Sequence, residues 1–458
     1  MHLLAIDWAL VGTKVGQLIL SLSILVILHE FGHFITARWF GCRVEKFYLF
    51  FDPWFSLFKK KVGDTEYGVG WLPLGGYVKI SGMIDESMDK EAMALPPKEW
   101  EFRSKPAWQR LIIMLGGIIM NVIVAIVIYS FVLLKWGSDS IPMSSVKNGV
   151  YFQDSLYSRI GFVNGDKILS VDGNIIESLD EAPLKIFMGK SAVVDRNGSQ
   201  ITLKFPESLL GTLVENKRKG TNLLLPRMPA IVGSYDGINE KSPSQEAGVK
   251  EGDEIVTVNG IPVSFYDEIR PILVNSPRDS ATLLINRQGN QVLISSALTA
   301  EKKLGLPFIT DFKKMEALGI CKNIHKDYSF VECFPAGIAL SQRKLIDYIG
   351  QFKKIVQPKT GAYKGLSGFK GIANAFPSTW DAHDFWSMTA LLSLILAFMN
   401  LLPIPALDGG HVMFTLYEMI TRRKPNEKFM EYAQMAGMIF LLLLMLYANG
   451  NDWFGWGK

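Results

Sequence analysis

Apolar residues along this chain gather into four stretches long enough to cross about 30 Å of hydrocarbon. They are roughly Leu10–Phe40, Leu111–Leu134, Phe385–Leu402 and Tyr432–Tyr447. The last two are short and need their flanking residues to reach across. From Gly137 to Thr379 the pattern changes. Short alternating runs such as Ile255-Val-Thr-Val258 are closed by Asn-Gly or Asp-Gly, which reads as β-hairpins. This region repeats itself: Ser242-Pro-Ser-Gln-Glu-Ala-Gly-Val-Lys-Glu-Gly-Asp-Glu-Ile-Val-Thr-Val-Asn-Gly260 aligns with Ser158-Arg-Ile-Gly-Phe-Val-Asn-Gly-Asp-Lys-Ile-Leu-Ser-Val-Asp-Gly173. Further on, Leu340–Val356 places apolar residues at 345, 348, 349, 352, 355 and 356, with Arg343, Lys344, Lys353 and Lys354 among them. That spacing predicts an amphipathic helix with a basic face, lying on a membrane surface or packed on the repeats. The chain thus reads as a multi-pass α-helical membrane protein with four transmembrane helices and an inserted β-rich region.

Charge orients these helices. Between the first two stretches lie Arg38, Arg43, Lys46, Lys59, Lys60, Lys61, Lys79, Lys90, Lys98, Arg103, Lys105 and Arg110, and between the last two Arg422, Arg423, Lys424 and Lys428. The positive-inside bias puts both connections in the cytoplasm and the insert and termini outside. In 458 residues, an apolar content of 48% and a mean hydropathy of +0.18 are too high for a wholly soluble protein and low for a pure transporter. The net charge of +4 is small and spread out, with no basic stretch interleaved with aromatics, so nothing supports nucleic-acid binding. Cys42, Cys321 and Cys333 make neither a disulfide framework nor a CxxC site; Cys321 and Cys333 can pair or stay as thiols. The N-terminus has no basic n-region or small-x-small site, so the first helix is expected to be retained.

Inside the first apolar stretch stands His29-Glu30-Phe31-Gly32-His33. HExxH on a helix puts two imidazoles one turn apart on one face, within reach of a single zinc ion, and the Glu beside them can act as general base. Val15–Leu28 leads directly into the motif and Phe34–Phe40 continues mostly apolar. Two imidazoles and a carboxylate at membrane depth are costly and imply function. A catalytic zinc needs a third protein ligand. Asp408, in Asn400-Leu-Leu-Pro-Ile-Pro-Ala-Leu-Asp-Gly-Gly410, is best placed: broken backbone at membrane depth is tolerated beside a polar site. His411 is the minor option.

HEFGH in the first span, Leu-Asp-Gly in the third and the Gly-Asp repeats in the outward loop resemble the site-2 protease family of intramembrane zinc metalloproteases, in the tandem-PDZ layout of its RseP branch. The second repeat has the small-residue run Ser242–Gly248 of PDZ domains, and the first lacks it. The resemblance implies residues 1–136 with the first two spans and a membrane-reentrant hairpin, PDZ domains over 137–229 and 230–310, a linker with the amphipathic helix over 311–379, and the last two spans over 380–458. It also implies one Zn2+ per chain on His29, His33 and Asp408, with Glu30 as general base. Asn400, Pro403 and Pro405 would stand near the substrate, as would Gly68, Val69, Gly70 and Trp71 of the hairpin matched by Glu66–Val78. The expected setting is the bacterial inner membrane, with substrates such as an anti-sigma factor or signal-peptide remnants and the PDZ pair as a filter.

The chemistry follows from the residues: zinc polarises a scissile carbonyl and acidifies water, and Glu30 carries the proton to the leaving nitrogen. A transmembrane helix must be held extended to be cut, and Tyr67–Val78 reads as a strand pair able to offer an edge for strand addition. Two other classes compete. An inactive membrane-anchored PDZ adaptor is disfavoured by the intact Glu30. A metal transporter would need polar residues in several spans, and the second offers little beyond Asn121.

Overall fold

The computed structural model describes residues 8–83, 96–215, 224–236, 241–307, 309 and 311–456, without the side chains of 74, 215 and 427. Lys90 lies outside the described residues. The chain forms two compact units, 1–137 with 327–356 and 363–458, and 138–326 with 357–362.

The first unit holds the four membrane-length helices: α1 (Trp8–Trp39), α2 (Ala107–Trp136), α4 (Ala382–Leu401) and α6 (Glu427–Phe454). The last is longer than its apolar run because Asn426 caps it, accepting the N–H groups of Lys428 and Phe429, and left-handed Gly455 ends it. Helices α1 and α2 meet through glycine. A Cβ on Gly32 would fall 2.3 Å from the Gly116 carbonyl oxygen, so only glycine lets the backbones touch there.

The predicted amphipathic helix starts earlier, as α3 (Phe330–Ile355), behind a Ser329/Glu332 capping box. Within this unit Gly337 sits against Ser130 of α2, Leu340 and Leu345 pack on Ala125 and Tyr129, and Tyr348 and Phe352 meet Phe398 of α4. Val331, Ile338 and Ile346 remain exposed on its other side. Cys333 is buried in this unit and Cys321 in the other, and all three cysteines are free thiols.

Between α1 and α2 runs a doubled hairpin of β1 (Val44–Val62) and β2 (Thr65–Ile80). Positive φ at Phe50 (66°) and Trp54 (76°) folds β1 back on itself. Its first part pairs with the end of β2 (Phe47↔Val78, Tyr48↔Tyr77, Leu49↔Gly76) and also with its start (Tyr48↔Gly68, Leu49↔Val69). Its second part pairs with that start again (Phe58↔Val69, Lys59↔Gly68). The segment 67–78 is therefore one bent strand rather than a strand pair, and Gly68 and Val69 have strands on both sides. Gly76–Ile80, by contrast, pairs on one side only among the described residues.

The second unit carries two sheets of identical order. Strands β3 (Lys167–Val171), β4 (Asn174–Ile175), β5 (Ser191–Arg196) and β6 (Ser199–Lys204) lie in the order β4-β3-β5-β6. Strands β7 (Glu254–Val258), β8 (Ile261–Pro262), β9 (Ser280–Arg287) and β10 (Asn290–Ala297) lie in the order β8-β7-β9-β10. Each sheet covers its own apolar core. The repeat extends to a clasp that motif alignment does not show. Asp166 and Asp253, each 1% exposed, accept two hydrogen bonds from Arg196 (2.7 and 2.7 Å) and Arg287 (2.8 and 2.7 Å). Each Arg also donates to a turn carbonyl, that of Gly161 or Gly248. Burial alone would raise the Asp253 pKa, but Arg287 and the Lys250 N–H hold it below the usual carboxylate range. The stability so gained is present above the ordinary carboxylate pKa and lost as pH falls through the lowered value.

Arg287→Met should destabilise the second repeat by about 2–3 kcal/mol, less than the roughly 3–5 kcal/mol of a fully buried broken pair because Arg287 is 29% exposed. Amide exchange of Ile255–Val258 in the full chain measures it; protection equal to the parent's would show that the clasp is not supporting the sheet.

Candidate metal centre

His29 and His33 stand one turn apart on α1, their ring centroids 4.9 Å apart and their planes at 82°. Their Nε2 atoms are 3.3 Å from each other, and each is 3.2 Å from Oδ2 of Asp408. Exposure of the three side chains is 12%, 7% and 20%.

Asp408 reaches the imidazoles because the chain breaks. Helix α4 ends at Leu401, a turn with Pro403, Pro405 and left-handed Ala406 (φ 78°) follows, and Asp408 opens α5 (Asp408–Thr421). The broken backbone expected here is thus a turn between two separate helices. Gly409 makes the turn possible, since a Cβ there would come 2.1 Å from the Leu402 carbonyl oxygen. Standing at the first position of α5, the carboxylate also meets the favourable end of that helix dipole.

Three donors 3.2–3.3 Å apart suit one small ion. Tetrahedral zinc with bonds of about 2.0–2.1 Å separates its ligand atoms by about 3.3 Å. The donor set of two imidazoles and a carboxylate also suits zinc. His33 is already oriented: its Nδ1 lies 2.8 Å from the Ile113 carbonyl oxygen, which accepts the Nδ1–H and leaves Nε2 as the ligand. His411 lines the neighbouring cavity but is not one of the converging donors.

That cavity, about 690 Å³, is lined by His29, Glu30, His33 and Asp408 and by Gly76–Ile80. Gly76 is 3.5 Å from Glu30 Cγ, measured from where its Cβ would be. Asn400, from the last turn of α4, places its amide nitrogen 3.3 Å from His29 Nε2. The remaining expected site residues stand elsewhere. Gly68 makes room for the Tyr48 ring, Gly70 is pressed on the Phe50 and Phe51 carbonyls, and Trp71 donates to the Pro53 carbonyl (2.9 Å) and stacks on Trp54 and Phe55. Pro403 and Pro405 shape the turn rather than line the cavity, and Pro405 supports Gly410 and Gly437. Gly76 and Gly117 are the site residues that sequence reading missed; their signal is the paired glycines at 75–76 and 116–117.

The chain is similar to known proteins along nearly its whole length. The sequence model of Peptidase family M50 matches residues 17–444. "Regulator of sigma-E protease RseP" of Escherichia coli K12 is 28% identical over 479 residues, covering 95% of this chain and 97% of that protein. "Protease RseP" of Yersinia pestis is 28% identical over 472 residues, covering 98% and 99%. A Neisseria meningitidis protein named as a "Putative zinc metalloprotease" is 28% identical over 453 residues, covering 95% and 97%.

The site depends on having no side chain at 117. A Cβ there would fall 2.4 Å from His33 Nε2 and 2.6 Å from His29 Cε1. Gly117→Ala should cut zinc affinity at least about tenfold, measured by chelator competition, a loss of the size that misplaced ligands give. Gly16→Ala, which would meet nothing within 4 Å, should leave it unchanged. Parental affinity in Gly117→Ala would contradict the packing described.

Proposed function

The chain belongs to peptidase family M50 and is a zinc metalloprotease with four candidate membrane spans, and from that premise we propose that it cuts transmembrane segments of single-pass membrane proteins. The observation that carries the reading is the convergence of His29, His33 and Asp408 between membrane-length helices, beside a cavity also lined by the strand segment Gly76–Ile80.

His29, His33 and Asp408 hold the metal, one ion per chain. Zinc, when bound, polarises a carbonyl oxygen and makes water more acidic. Glu30, next to its ligand His29, takes the proton of the attacking water and delivers it to the leaving amide nitrogen. Asn400 directs its amide N–H toward the same place and stabilises charge developing on the carbonyl oxygen.

A helical segment must first be unwound, because its amides are bonded internally. Strand addition replaces those bonds. Within the expected edge Tyr67–Val78, Gly68 and Val69 have β1 on both sides, so we assign the role to Gly76–Ile80, which lines the cavity together with Glu30. Gly76 suits it: a Cβ there would press within 2.8 Å of Val26, narrowing the cleft. The turn between the two parts of β1 presents Trp54 (90% exposed), Phe55, Leu57 and Phe58, followed by Lys59–Lys61. An apolar tip with lysines behind it fits a hairpin that dips into the bilayer while its charges stay at the surface.

Positive residues in the loops between the first and last pairs of spans support an inner-membrane orientation with the metal toward the cytoplasmic side. The insert, whose two repeats we read as PDZ domains, is then outward, and serves as a filter that admits substrates after their outward part is trimmed. A relative named as a regulator of sigma-E supports an anti-sigma factor as the substrate class, with leftover signal peptides as a second.

The test is cleavage of a model transmembrane peptide, with and without a folded outward domain. Glu30→Gln should abolish cleavage and keep zinc, while Asp408→Ala should lose both. Deleting 149–310 should remove the preference for the trimmed substrate. Turnover by Glu30→Gln, or zinc retained in full by Asp408→Ala, would overturn the assignments; equal selectivity after the deletion would remove the filter.

A further inference from the structure

We infer that Asn121 is a positioning residue for the metal: its side-chain carbonyl accepts the Nδ1–H of His29 and so keeps that imidazole's Nε2 free to ligate. The inference rests on His29 being a zinc ligand, as proposed above.

Asn121 lies in the middle of α2, fully buried at 0% exposure in a stretch otherwise made of apolar and small residues. A buried amide among membrane helices is costly unless its groups are bonded. Its backbone carbonyl is already used, accepting the Ser393 hydroxyl at 2.7 Å. Its side chain turns to the metal centre instead, with Nδ2 3.1 Å from His29 Nδ1 and Oδ1 left without a partner.

As drawn, that contact has the wrong polarity for a metal ligand. An amide N–H donating to Nδ1 requires the ring proton on Nε2, the atom that faces Asp408 and His33. A ligating Nε2 must carry a lone pair, so the proton belongs on Nδ1 and needs an acceptor. Exchanging the amide O and N positions supplies it, since the two ends are nearly equal in shape. The orphaned Oδ1 then gains a donor. His33, one turn from His29 on α1, sets the precedent: its Nδ1 faces the Ile113 carbonyl oxygen, an acceptor that cannot be turned around. Helix α2 thus orients both imidazoles, His33 through its backbone and His29 through Asn121.

The experiment is zinc affinity by chelator competition in the purified full chain, for Asn121→Leu, Asn121→Asp and His29→Ala, with thermal unfolding recorded for each. Leu matches the volume without an acceptor, and Asp restores an acceptor on the same frame. Asn121→Leu should bind zinc roughly 10–100-fold more weakly than the parent, the usual cost of losing such a partner, and Asn121→Asp should recover to within about tenfold. A parental affinity in Asn121→Leu, or an Asn121→Asp variant as weak as Asn121→Leu, overturns the inference. If His29→Ala itself binds zinc like the parent, it is the ligand assignment that has failed, and the role of Asn121 falls with it.

Discussion

The close approach of α1 and α2 is the contact on which the rest of this molecule depends. Two imidazoles and a carboxylate cannot be left among apolar helices without partners, and α2 supplies those of the two Nδ1 atoms. Gly32, Gly116 and Gly117 remove the side chains that would hold the helices apart, so that the Ile113 carbonyl and Asn121 reach the outer nitrogens of His33 and His29. The same contact leaves the two Nε2 atoms facing Asp408. The expense of polar groups at this depth is offset by bonds that one neighbouring helix provides, and α5 then closes the ligand set.

The hairpin solves a second problem, that of presenting an extended partner beside the metal. Its strands fold back so that most hydrogen-bonding edges are consumed within the sheet, which limits unwanted pairing. One stretch, Gly76–Ile80, has a strand on one side only among the described residues and lines the cavity with Glu30. The aromatic layer of Tyr48, Phe51 and Tyr77, with Tyr77 donating to Asp52 at 2.8 Å, stiffens the sheet behind that edge.

Much of this was legible in the sequence, for reasons that can be named. Helical period alone puts His29 and His33 on one face, and the Pro-Pro-Gly-Gly break marks where Asp408 could turn inward. The repeat was readable from its turns, since Gly-Asp and Asn-Gly or Asp-Gly impose the same backbone twice. The hairpin register was not, because it hangs on positive φ at Phe50 and Trp54, residues that give no sign of it. Nor was the position of α3, which depends on Gly337 meeting Ser130, some 200 residues distant. Asn121 stood out only as one of the few polar residues of its span; its partner could not be read without the helix contact.

The claim that joins these parts is that a transmembrane segment is cut after joining the sheet at Gly76–Ile80. Proline removes an N–H from an edge and little else. The direct measurement is turnover by Tyr77→Pro and Val78→Pro, one on a helical transmembrane peptide and one on a soluble, already extended peptide, with zinc content as the control. At least one variant should lose about tenfold or more on the helical substrate and much less on the extended one, with zinc retained. Full activity of both variants toward the helical substrate would contradict the account.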